Sequence, residues 1–490
     1  MKILTGPQIR QADRATIERE PIASIDLMER ASVRMADYLT GCHGVEHEFL
    51  FLVGKGNNGG DGLAVARILA QRKYRCRVYT LFPPETGSDD FRKNFERLPD
   101  TIEVTAFSAE NPPEISVSTV IVDALLGTGF VRPLREPFPA AIGWINASGS
   151  EVVALDIPSG LTTEFDNAGA QAVQATLTLT LEFPKVSLLL PEAGERAGEV
   201  VIIPLGLDRA FLDEATGDYF YVTAEDLPVL ARPKFGHKGS FGHALLICGS
   251  LGMAGAAVLS TRAALRSGCG LVTVHVPVNE RAAIHAAAPS ALVSCDGGNC
   301  FSALPAGLEN YAAVGIGPGL GQDPITAGAF KALLRAYRSP MVIDADALNL
   351  VATQPELRDL LPPGSILTPH PGELRRLIGT WDGEREKFDR VRAFAAETQC
   401  IVVVKGAYTE IFAPTGVVWF NPTGNPGMAK GGSGDVLTGL ITGLLAHGPS
   451  PLQAALAGVW FHGRAGDEAA LVLGLESMNA EDLIGFLKLR

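Results

Sequence analysis

The chain has 490 residues, of which 47% are hydrophobic and 19% are charged, a composition typical of globular proteins with a large core. Its length favours about three domains, or two large α/β domains. The formal net charge of −13 argues against a general nucleic-acid-binding protein, although a helix start or a local cation can still hold a single phosphate group.

The seven cysteines are scattered along the chain and include no Cys-x-x-Cys pair. This pattern indicates neither a zinc site nor a disulfide framework, so reduced thiols are expected. The N-terminal residues lack the apolar run of a signal peptide, and no stretch is long and apolar enough to span a membrane. We therefore expect a cytoplasmic protein without nucleic-acid or membrane partners.

The first half begins with two predicted helices within residues 7–40, followed by a buried strand at 48–53. The next segment, 54–62, holds five glycines in nine residues and leads into a helix predicted at 63–71. This order of strand, glycine loop and helix places a ligand phosphate at a helix start. The loop matches neither the dinucleotide fingerprint nor a Walker loop. A plain tight turn needs only one or two glycines, so the segment favours a ligand-binding loop.

Two further strands end in polar residues. Asp123 ends one of them and precedes a glycine loop that reaches Arg132, which could contact a phosphate, while Asp156 and Ser159 follow the next strand. Each aspartate alone would be an ordinary turn cap, but ligands gather at the carboxyl ends of parallel strands, so we expect convergence. With Asn58 these residues offer oxygen ligands, which suit a hard cation. Strands at 177–183 and 199–204 complete this sheet.

A second α/β unit is predicted after a linker at 205–236, which mixes charge and proline. Strands and helices alternate from residue 237 onward, which predicts a mostly parallel sheet with helices on both faces. The predicted elements are strands at 244–248, 271–276, 312–317, 341–345, 365–368 and 401–405, with helices at 256–266, 324–337 and 384–398.

The most informative stretch of the second half is 421–439, in which three glycines surround Ser433 and Asp435 follows at the start of a helix predicted at 436–445. Unpaired amides and the helix dipole at such a start bind phosphate without Lys or Arg. Asp435 could then take a proton from an attacking hydroxyl. The alternative is an ordinary N-cap aspartate in a tight turn, but the length of the glycine run favours the phosphate site.

Other loops of this half are polar as well. His370 lies between two prolines, in a stiff turn, and is either a ligand contact or a structural residue. Glu373 is either a water-mediated magnesium partner or a solvated glutamate at a helix start. Segment 405–409 ends a strand and could bracket a nucleotide.

These motifs together resemble a known family. Segments 238–243, 368–373 and 421–435 resemble the ADP-dependent NAD(P)H-hydrate dehydratases of the ribokinase-like fold, and segments 54–62, 123–133 and 156–160 resemble the NAD(P)H-hydrate epimerase domain, which is Rossmann-like. The resemblance implies an α/β protein with two three-layer α/β/α domains. The epimerase domain would cover residues 1–215 and the dehydratase domain residues 222–490.

The resemblance also implies a function, the repair of hydrated nicotinamide cofactors. The first domain would interconvert the R and S hydrates, and the second would dehydrate the S hydrate with ADP and Mg²⁺, releasing AMP and phosphate. Asp156 and Asp435 are the implied catalytic residues, and a K⁺ ion would be held by Asn58, Asp123 and Ser159. The expected partners are the NAD(P)H hydrates and ADP, in a homo-oligomer.

The resemblance implies further contact residues. Those for the hydrate in the epimerase site are Asn57, Asn58, Gly59, Gly60, Asp61, Gly127, Thr128, Gly129, Phe130, Val131, Arg132, Pro133 and Asp156. Those for the hydrate in the dehydratase site are Ala256, Gly319, His370 and Asp435, and those for ADP are Lys405, Gly406, Ala407, Tyr408, Thr409, Gly432, Ser433 and Gly434.

Two alternatives stay open at this point. A vitamin-precursor kinase of the ribokinase-like fold would use the same glycine-rich helix start, with the first half as a non-catalytic nucleotide-binding module. The residues themselves do not separate ADP from ATP as the phosphoryl donor, nor NADH hydrate from NADPH hydrate.

Overall fold

The computed structural model describes residues 1–165 and 167–489. It divides into two compact units, Met1–Tyr219 and Phe220–Arg490. Within the described residues, no helix combines the length and apolarity that crossing a membrane requires.

The first unit alternates strands and helices. Its helices are α1 (Gly6–Arg19), α2 (Ser24–Cys42), α3 (Asn57–Gln71), α4 (Asp89–Glu96), α5 (Phe138–Ala147), α6 (Pro191–Ala197) and α7 (Arg209–Glu214), and its strands are β1 (Glu48–Val53), β2 (Arg75–Thr80), β3 (Glu103–Ala106), β4 (Thr119–Ala124), β5 (Glu151–Leu155), β6 (Leu177–Leu181) and β7 (Glu199–Ile203).

These seven strands form a parallel sheet in the order β3-β2-β1-β4-β5-β6-β7. Alternate residues of β1 lie on opposite faces of the sheet. Phe49 and Phe51 pack with α2 and α3 on one face, while Leu50 and Leu52 pack with α5 on the other. Burial on both faces explains why the strand is a continuous apolar run. From β1 the chain adds β2 and β3 on one side of the sheet, and it then adds β4 to β7 on the other side. The gap between β1 and β4 is therefore the topological switch point, at which open α/β sheets bind ligands.

The second unit contains the remaining elements. Its strands are β8 (Tyr219–Tyr221), which begins at the last residue of the first unit, β9 (His243–Ile247), β10 (Leu271–Pro277), β11 (Leu292–Asp296), β12 (Ala313–Ile316), β13 (Met341–Ile343), β14 (Ile366–Leu367), β15 (Ile401–Val404), β16 (Thr409–Phe412) and β17 (Val418–Asn421), and its helices are α8 (Ala254–Arg266), α9 (Arg281–Ala287), α10 (Pro324–Ala336), α11 (Ala345–Thr353), α12 (Pro355–Arg358), α13 (Pro371–Ile378), α14 (Gly383–Thr398), α15 (Ser433–His447), α16 (Pro451–Leu473) and α17 (Ala480–Phe486).

The second sheet has ten strands in the order β11-β10-β9-β12-β13-β14-β15-β16-β17-β8. Strands β11 through β15 pair in parallel, whereas β16 pairs antiparallel with both β15 and β17. The mostly parallel sheet is as expected, and the fold class of two α/β/α units is confirmed. The antiparallel pair β16 and β17 was not anticipated.

The sequence misjudged two segments. Helix α3 begins at Asn57 rather than at residue 63, although asparagine and glycine are poor helix formers. A Cβ atom on Gly59 would lie 2.0 Å from the carbonyl oxygen of Gly54, so the glycine is needed for close packing inside a helix rather than for a loop. The expected linker at 205–236 also contains regular structure, namely α7 and β8.

Helix α15 is the central helix of the second unit. All its residues from Val436 to Ala446 are buried. A Cβ atom on Gly439 would lie 2.0 Å from the carbonyl oxygen of Ser260 in α8, so the two backbones are in direct contact. The Ser260 hydroxyl also donates to the carbonyl oxygen of Asp435 at 2.9 Å, which ties the start of α15 to the same neighbour.

Adding a methyl group at this contact tests the packing. We expect Gly439→Ala to lose about 1–3 kcal/mol of stability, because the new Cβ must displace the backbone of α8. Thermal unfolding followed by circular dichroism measures the loss. The matched control is Gly485→Ala in α17, where a Cβ atom would meet nothing within 4 Å. The control should be as stable as the wild type or slightly more stable, and an equally stable Gly439→Ala would contradict the packing described here.

Candidate active sites

The start of α15 has the geometry of an anion site. Gly432 is the N-cap residue, and its φ of 94° lies in the left-handed region that favours glycine. Asp435 lies in the first turn rather than at the N-cap, so the N-cap alternative is wrong. Among the described residues, none accepts a hydrogen bond from the amides of Gly434 and Asp435. Two free N–H groups at a helix start are suited to bind a phosphoryl group.

A buried charge cluster adjoins this helix start. Asp344, at the end of β13, is 1% exposed and accepts hydrogen bonds from Lys405 Nζ at 2.9 Å and from Thr438 Oγ1 at 2.7 Å. A Cβ atom on Gly434 would lie 3.4 Å from Lys405 Nζ. The free amides and the lysine ammonium group therefore lie close together, and the structure brings the predicted residues Gly434 and Lys405 to one place.

The pKa of Asp435 is raised to about 6, mainly by burial and also by the negative charges of Asp344 and Asp346, while Lys405 partly offsets them. A carboxyl group with such a pKa is mostly ionised at neutral pH, yet it is a stronger base than an exposed aspartate. Those properties suit a general base for a hydroxyl proton.

A neutral histidine supports the helix start from α16. Burial lowers the pKa of His462 to about 4, and its Nε2–H donates to the carbonyl oxygen of Ser433 at 2.9 Å. The Ser433 hydroxyl in turn donates to the carbonyl oxygen of Met428 at 2.8 Å. These bonds fix the glycine turn from both sides without adding charge to it.

His370 is the N-cap residue of α13, and its Nδ1 accepts from the amide of Gly372 at 3.0 Å. Its ring is half exposed, with Nε2 3.4 Å from Glu373 Oε1. Glu373 caps the same helix, because its Oε2 accepts from the His370 amide at 2.9 Å. The same oxygen lies 3.9 Å from Lys405 Nζ. The glutamate is buried rather than solvated, and it connects His370 to the charge cluster.

Of the other predicted dehydratase residues, Ala256 lies near the start of α8, Gly319 lies in the loop after β12, and segment 405–409 follows β15. A Cβ atom on Gly319, whose φ is 60°, would lie 3.0 Å from the Cβ of Ala256, so these two predicted residues are in contact. The loop of Gly319 is tied to Asp346, which accepts from the amide of Gly321 at 2.8 Å. Segment 405–409 joins the antiparallel strands β15 and β16 as a hairpin, closed by a bond from Thr409 Oγ1 to the Gly406 carbonyl at 3.2 Å.

In the first unit the three predicted cation ligands also converge. Asp123 is fully buried and accepts from the Ser159 amide at 2.7 Å and the Ser159 hydroxyl at 2.6 Å. Asn58 Nδ2 donates to the carbonyl oxygen of Leu126 at 2.9 Å, and Ser159 Oγ lies 3.3 Å from the same oxygen. The donors available here are carboxylate, hydroxyl, amide and carbonyl oxygens.

Burial raises the pKa of Asp123 to about 6, with hydrogen bonds from Ser159 and Leu125 opposing that rise. An added positive charge would favour the ionised form of this carboxyl group. Within the described residues, no group of three or more His, Cys, Asp or Glu side chains could hold a metal ion. A site here would therefore suit a weakly bound cation with mixed oxygen ligands rather than a zinc ion.

Asp156 follows β5 with a φ of 68°, a left-handed conformation that is uncommon for residues other than glycine. Its Oδ1 accepts from the ammonium group of Lys185, which is 1% exposed. Burial raises the pKa of Asp61 well above its ordinary value, and the charges of Asp156 and Asp13 add to that rise. The predicted substrate residues Asp61 and Asp156 therefore belong to one acidic group.

The loop at 127–133 borders the same cluster. A Cβ atom on Gly127 would lie 3.1 Å from the Cβ of Asn58, and the Phe130 amide closes a turn by donating to the Gly127 carbonyl at 3.0 Å. Arg132, expected to contact a phosphate, donates to Asn167 Oδ1 at 3.0 Å. Val131 is 80% exposed.

Four residues of these sites were not predicted: Asp13, Lys185, Asp344 and His462. Asp344 begins a polar segment at a strand end, 344–349, to which the sequence analysis assigned no role. Lys185 stands out in the sequence because it interrupts an apolar run at 177–190, which is a detectable signal for a buried charge. Asp13 and His462 lie within helices, on α1 and α16, and no local motif marks them.

Both α/β units carry an aspartate in a helix with a glycine-rich start, Asp61 in α3 and Asp435 in α15, an arrangement expected of an enzyme with two sites. Residues 24–187 match the family model described as YjeF-related protein N-terminus, and residues 244–488 match the model described as NAD(P)H-hydrate dehydratase. Among curated proteins, the bifunctional NAD(P)H-hydrate repair enzyme of Moorella thermoacetica is 37% identical over 99% of this chain and 96% of its own length. That of Coxiella burnetii is 35% identical over 98% of this chain and 97% of its own.

The chain therefore belongs to the family of bifunctional NAD(P)H-hydrate repair enzymes, and the resemblance seen in its motifs is confirmed. Among solved structures, the ADP/ATP-dependent NAD(P)H-hydrate dehydratase from Bacillus subtilis, co-crystallised with ATP and Mg²⁺, is 35% identical and covers 55% of this chain and 96% of its own, with a TM-score of 0.49. The alternative of a vitamin-precursor kinase is set aside, because the relatives match both units along nearly their whole length.

The raised pKa of Asp435 predicts a cost to stability that depends on pH. The folded-state pKa of about 6 exceeds the ordinary value of 3.8, so the ionised form destabilises the fold. This penalty is absent below pH 3.8, grows between pH 3.8 and about 6, and is complete above that.

Replacing the acid removes the penalty. We expect Asp435→Asn to raise the melting temperature relative to wild type by more at pH 7.5 than at pH 5. Melting curves across this range measure the difference, and Asp389→Asn, at an exposed position of α14, is the control that should show no such trend. A difference that stays constant with pH would contradict the raised pKa.

Proposed function

We propose that residues 1–215 epimerise the R and S hydrates of NAD(P)H and that residues 222–490 dehydrate the S hydrate with ADP, releasing NAD(P)H, AMP and phosphate. The observation that carries the second assignment is the start of α15, where two free amides adjoin an acid whose pKa is about 6. We also propose a cytoplasmic homo-oligomer that acts on small molecules rather than on nucleic acid or membranes.

The dehydration begins as a phosphoryl transfer. Asp435 accepts the proton of the hydrate's hydroxyl group, whose oxygen attacks the terminal phosphorus of ADP while AMP leaves. The amides of Gly434 and Asp435, with Lys405, stabilise the charge on the transferring group. The bond between the ring carbon and the phosphorylated oxygen then breaks, and phosphate leaves with its electron pair. The adjacent carbon loses a proton, and the ring double bond is restored. Water is a poor leaving group and phosphate a good one, which is the reason for using a nucleotide.

The remaining predicted residues would surround the two ligands. Ala256, Gly319 and His370 would contact the hydrate, and the hairpin 405–409 with the turn 432–434 would hold ADP. Glu373 offers carboxylate oxygens, which fit a Mg²⁺ ion that is carried with the nucleotide and keeps several waters. When bound, that ion would neutralise phosphate charge.

The epimerisation follows from the chemistry of the hydrate, whose hydroxyl-bearing carbon is bonded to the ring nitrogen. A base takes the hydroxyl proton and the carbon–nitrogen bond breaks, which leaves a carbonyl group on carbon and an electron pair on nitrogen, where a proton binds. Reclosure on the opposite face of the carbonyl reverses these steps and gives the other epimer. We assign the base to Asp156, beside the predicted substrate residues 57–61 and 127–133.

Reciprocal substitutions test the two assignments in one chain. Asp435→Asn should lower the dehydration rate by about 10²–10⁴-fold, the contribution of a positioned general base, and leave epimerisation unchanged. Asp156→Asn should do the reverse, and asparagine is chosen because it tolerates the left-handed backbone. Dehydration is followed by the returning absorbance of reduced nicotinamide with the S hydrate, ADP and Mg²⁺, and epimerisation by chromatography of the epimers without ADP. Dehydration by Asp435→Asn at the wild-type rate would refute the first assignment.

We further propose that Asn58, Asp123, Ser159 and the Leu126 carbonyl bind K⁺, which fits their oxygen donors. When bound, the ion would offset the buried charge of Asp123 and fix the loop that follows it.

Replacing potassium chloride with tetramethylammonium chloride at equal ionic strength should lower both the epimerase rate and the melting temperature of the first unit, since a ligand stabilises the state that binds it. Ser159→Ala should reduce both responses to K⁺. The dehydration rate is the internal control and should not change with K⁺. A melting temperature that is the same with and without K⁺ would contradict the proposed site.

A further inference from the structure

Lys185 is a deeply buried basic side chain of the first unit. It is 1% exposed, and its Nζ donates to Asp156 Oδ1, to Thr180 Oγ1 at 2.9 Å and to the Leu181 carbonyl at 3.2 Å. Burying an ammonium group costs several kcal/mol unless it is paired and hydrogen-bonded. All three ammonium protons have acceptors here, so the lysine has a fixed orientation.

In the part of the chain that the structure describes, the hydrogen bonds to the Asp156 carboxylate involve only one of its two oxygens. Oδ1 accepts both from Lys185 and from the amide of Leu181 at 3.1 Å. Among the described residues, none donates a hydrogen bond to Oδ2, and this atom is not among the buried polar atoms without a partner. The carboxylate is therefore held by one oxygen, and the other is open to a ligand.

We infer that Lys185 is a positioning residue for the epimerase reaction, which holds Asp156 by Oδ1 so that Oδ2 is the oxygen that exchanges protons with the hydrate. This inference rests on the function proposed for Asp156. It names a second residue for that reaction and the reacting atom of the first.

The neighbouring acids support this role. The pKa of Asp13 is raised to about 6, mainly by burial and also by the charge of Asp156, while Lys185 opposes that rise. The pKa of Asp61 is also raised by burial and by Asp156. Lys185 is thus the buried counter-charge of a group of acids that contains Asp156, Asp13 and Asp61. Its ion pair with Asp156 fixes one carboxylate of this group in place.

The test uses the full-length chain and compares Lys185→Met with Lys73→Met, an exposed lysine after α3. Lys185→Met should lower the kcat of epimerisation by about a hundredfold, the cost of misplacing a reacting group, with KM changed less than about twofold. Dehydration in the same chain should be unchanged, and Lys73→Met should match the wild type in both reactions. A kcat of Lys185→Met within twofold of wild type would overturn the inference.

A double substitution separates positioning from a merely structural role. If Lys185 acts through Asp156, then adding Lys185→Met to Asp156→Asn should cause no further loss of epimerisation, because neighbouring sites that act together are not additive. An additional loss would show that Lys185 acts independently of Asp156 and would refute the proposal. If Asp156→Asn alone retains full activity, the assignment of Asp156 fails first, and the two failures are thereby distinguishable.

Removing a buried ion-pair partner can also unfold the unit, so a milder variant is needed. Thr180→Val keeps the side-chain shape and removes one acceptor of Lys185 Nζ. We expect it to lower kcat by a smaller factor than Lys185→Met, without a change in KM. Should Lys185→Met prove unfolded by melting analysis, an unchanged kcat in Thr180→Val would still count against the proposal.

Discussion

The direct backbone contact between α15 and α8 is the constraint on which the dehydratase site depends. Gly439 brings the two helices together, and the Ser260 hydroxyl holds the carbonyl of Asp435 at the same contact. Since the helix is buried along nearly its whole length, its first turn has little freedom to move. The free amides are therefore presented in a fixed place, and electrostatic stabilisation of a transition state requires such preorganised groups.

The two units solve one electrostatic problem in related ways. Each places the aspartate proposed as its base near a lysine: Lys185 bonds directly to Asp156, whereas Lys405 bonds to Asp344 and acts on Asp435 from a distance. In the second unit Lys405 therefore offsets only part of the rise that burial and Asp344 cause in the pKa of Asp435. Its ammonium group also lies close to the helix start at which a phosphoryl group is proposed to bind.

Much of the fold was predictable because buried parallel strands are continuous apolar runs, as in β1 and β4, and because glycine and aspartate mark their ends. The start of α3 was misplaced because the local helix propensity of asparagine and glycine is low, while close packing against Gly54 outweighs it. The antiparallel strands β16 and β17 follow the hairpin after β15 and interrupt the alternation of strand and helix on which the prediction relied.

The candidate sites were predictable where a motif carried them, as at residues 432–435, and not where the contact is formed by tertiary packing. Asp344 meets Lys405 and Thr438 from distant parts of the chain, and Asp156 meets Lys185 across β6. The spacing of residues in the sequence does not predict such pairs, because their members are distant along the chain. The capping of α13 by His370 and Glu373 likewise became evident only once the helix start was located.

The left-handed backbone at Asp156 limits how this position can drift in evolution. Only asparagine and glycine adopt that conformation about as readily as aspartate. A lineage in which the first reaction was no longer selected would therefore accept those two residues sooner than alanine or serine. Alanine or serine at this position would instead imply that the surrounding loop had already been remodelled.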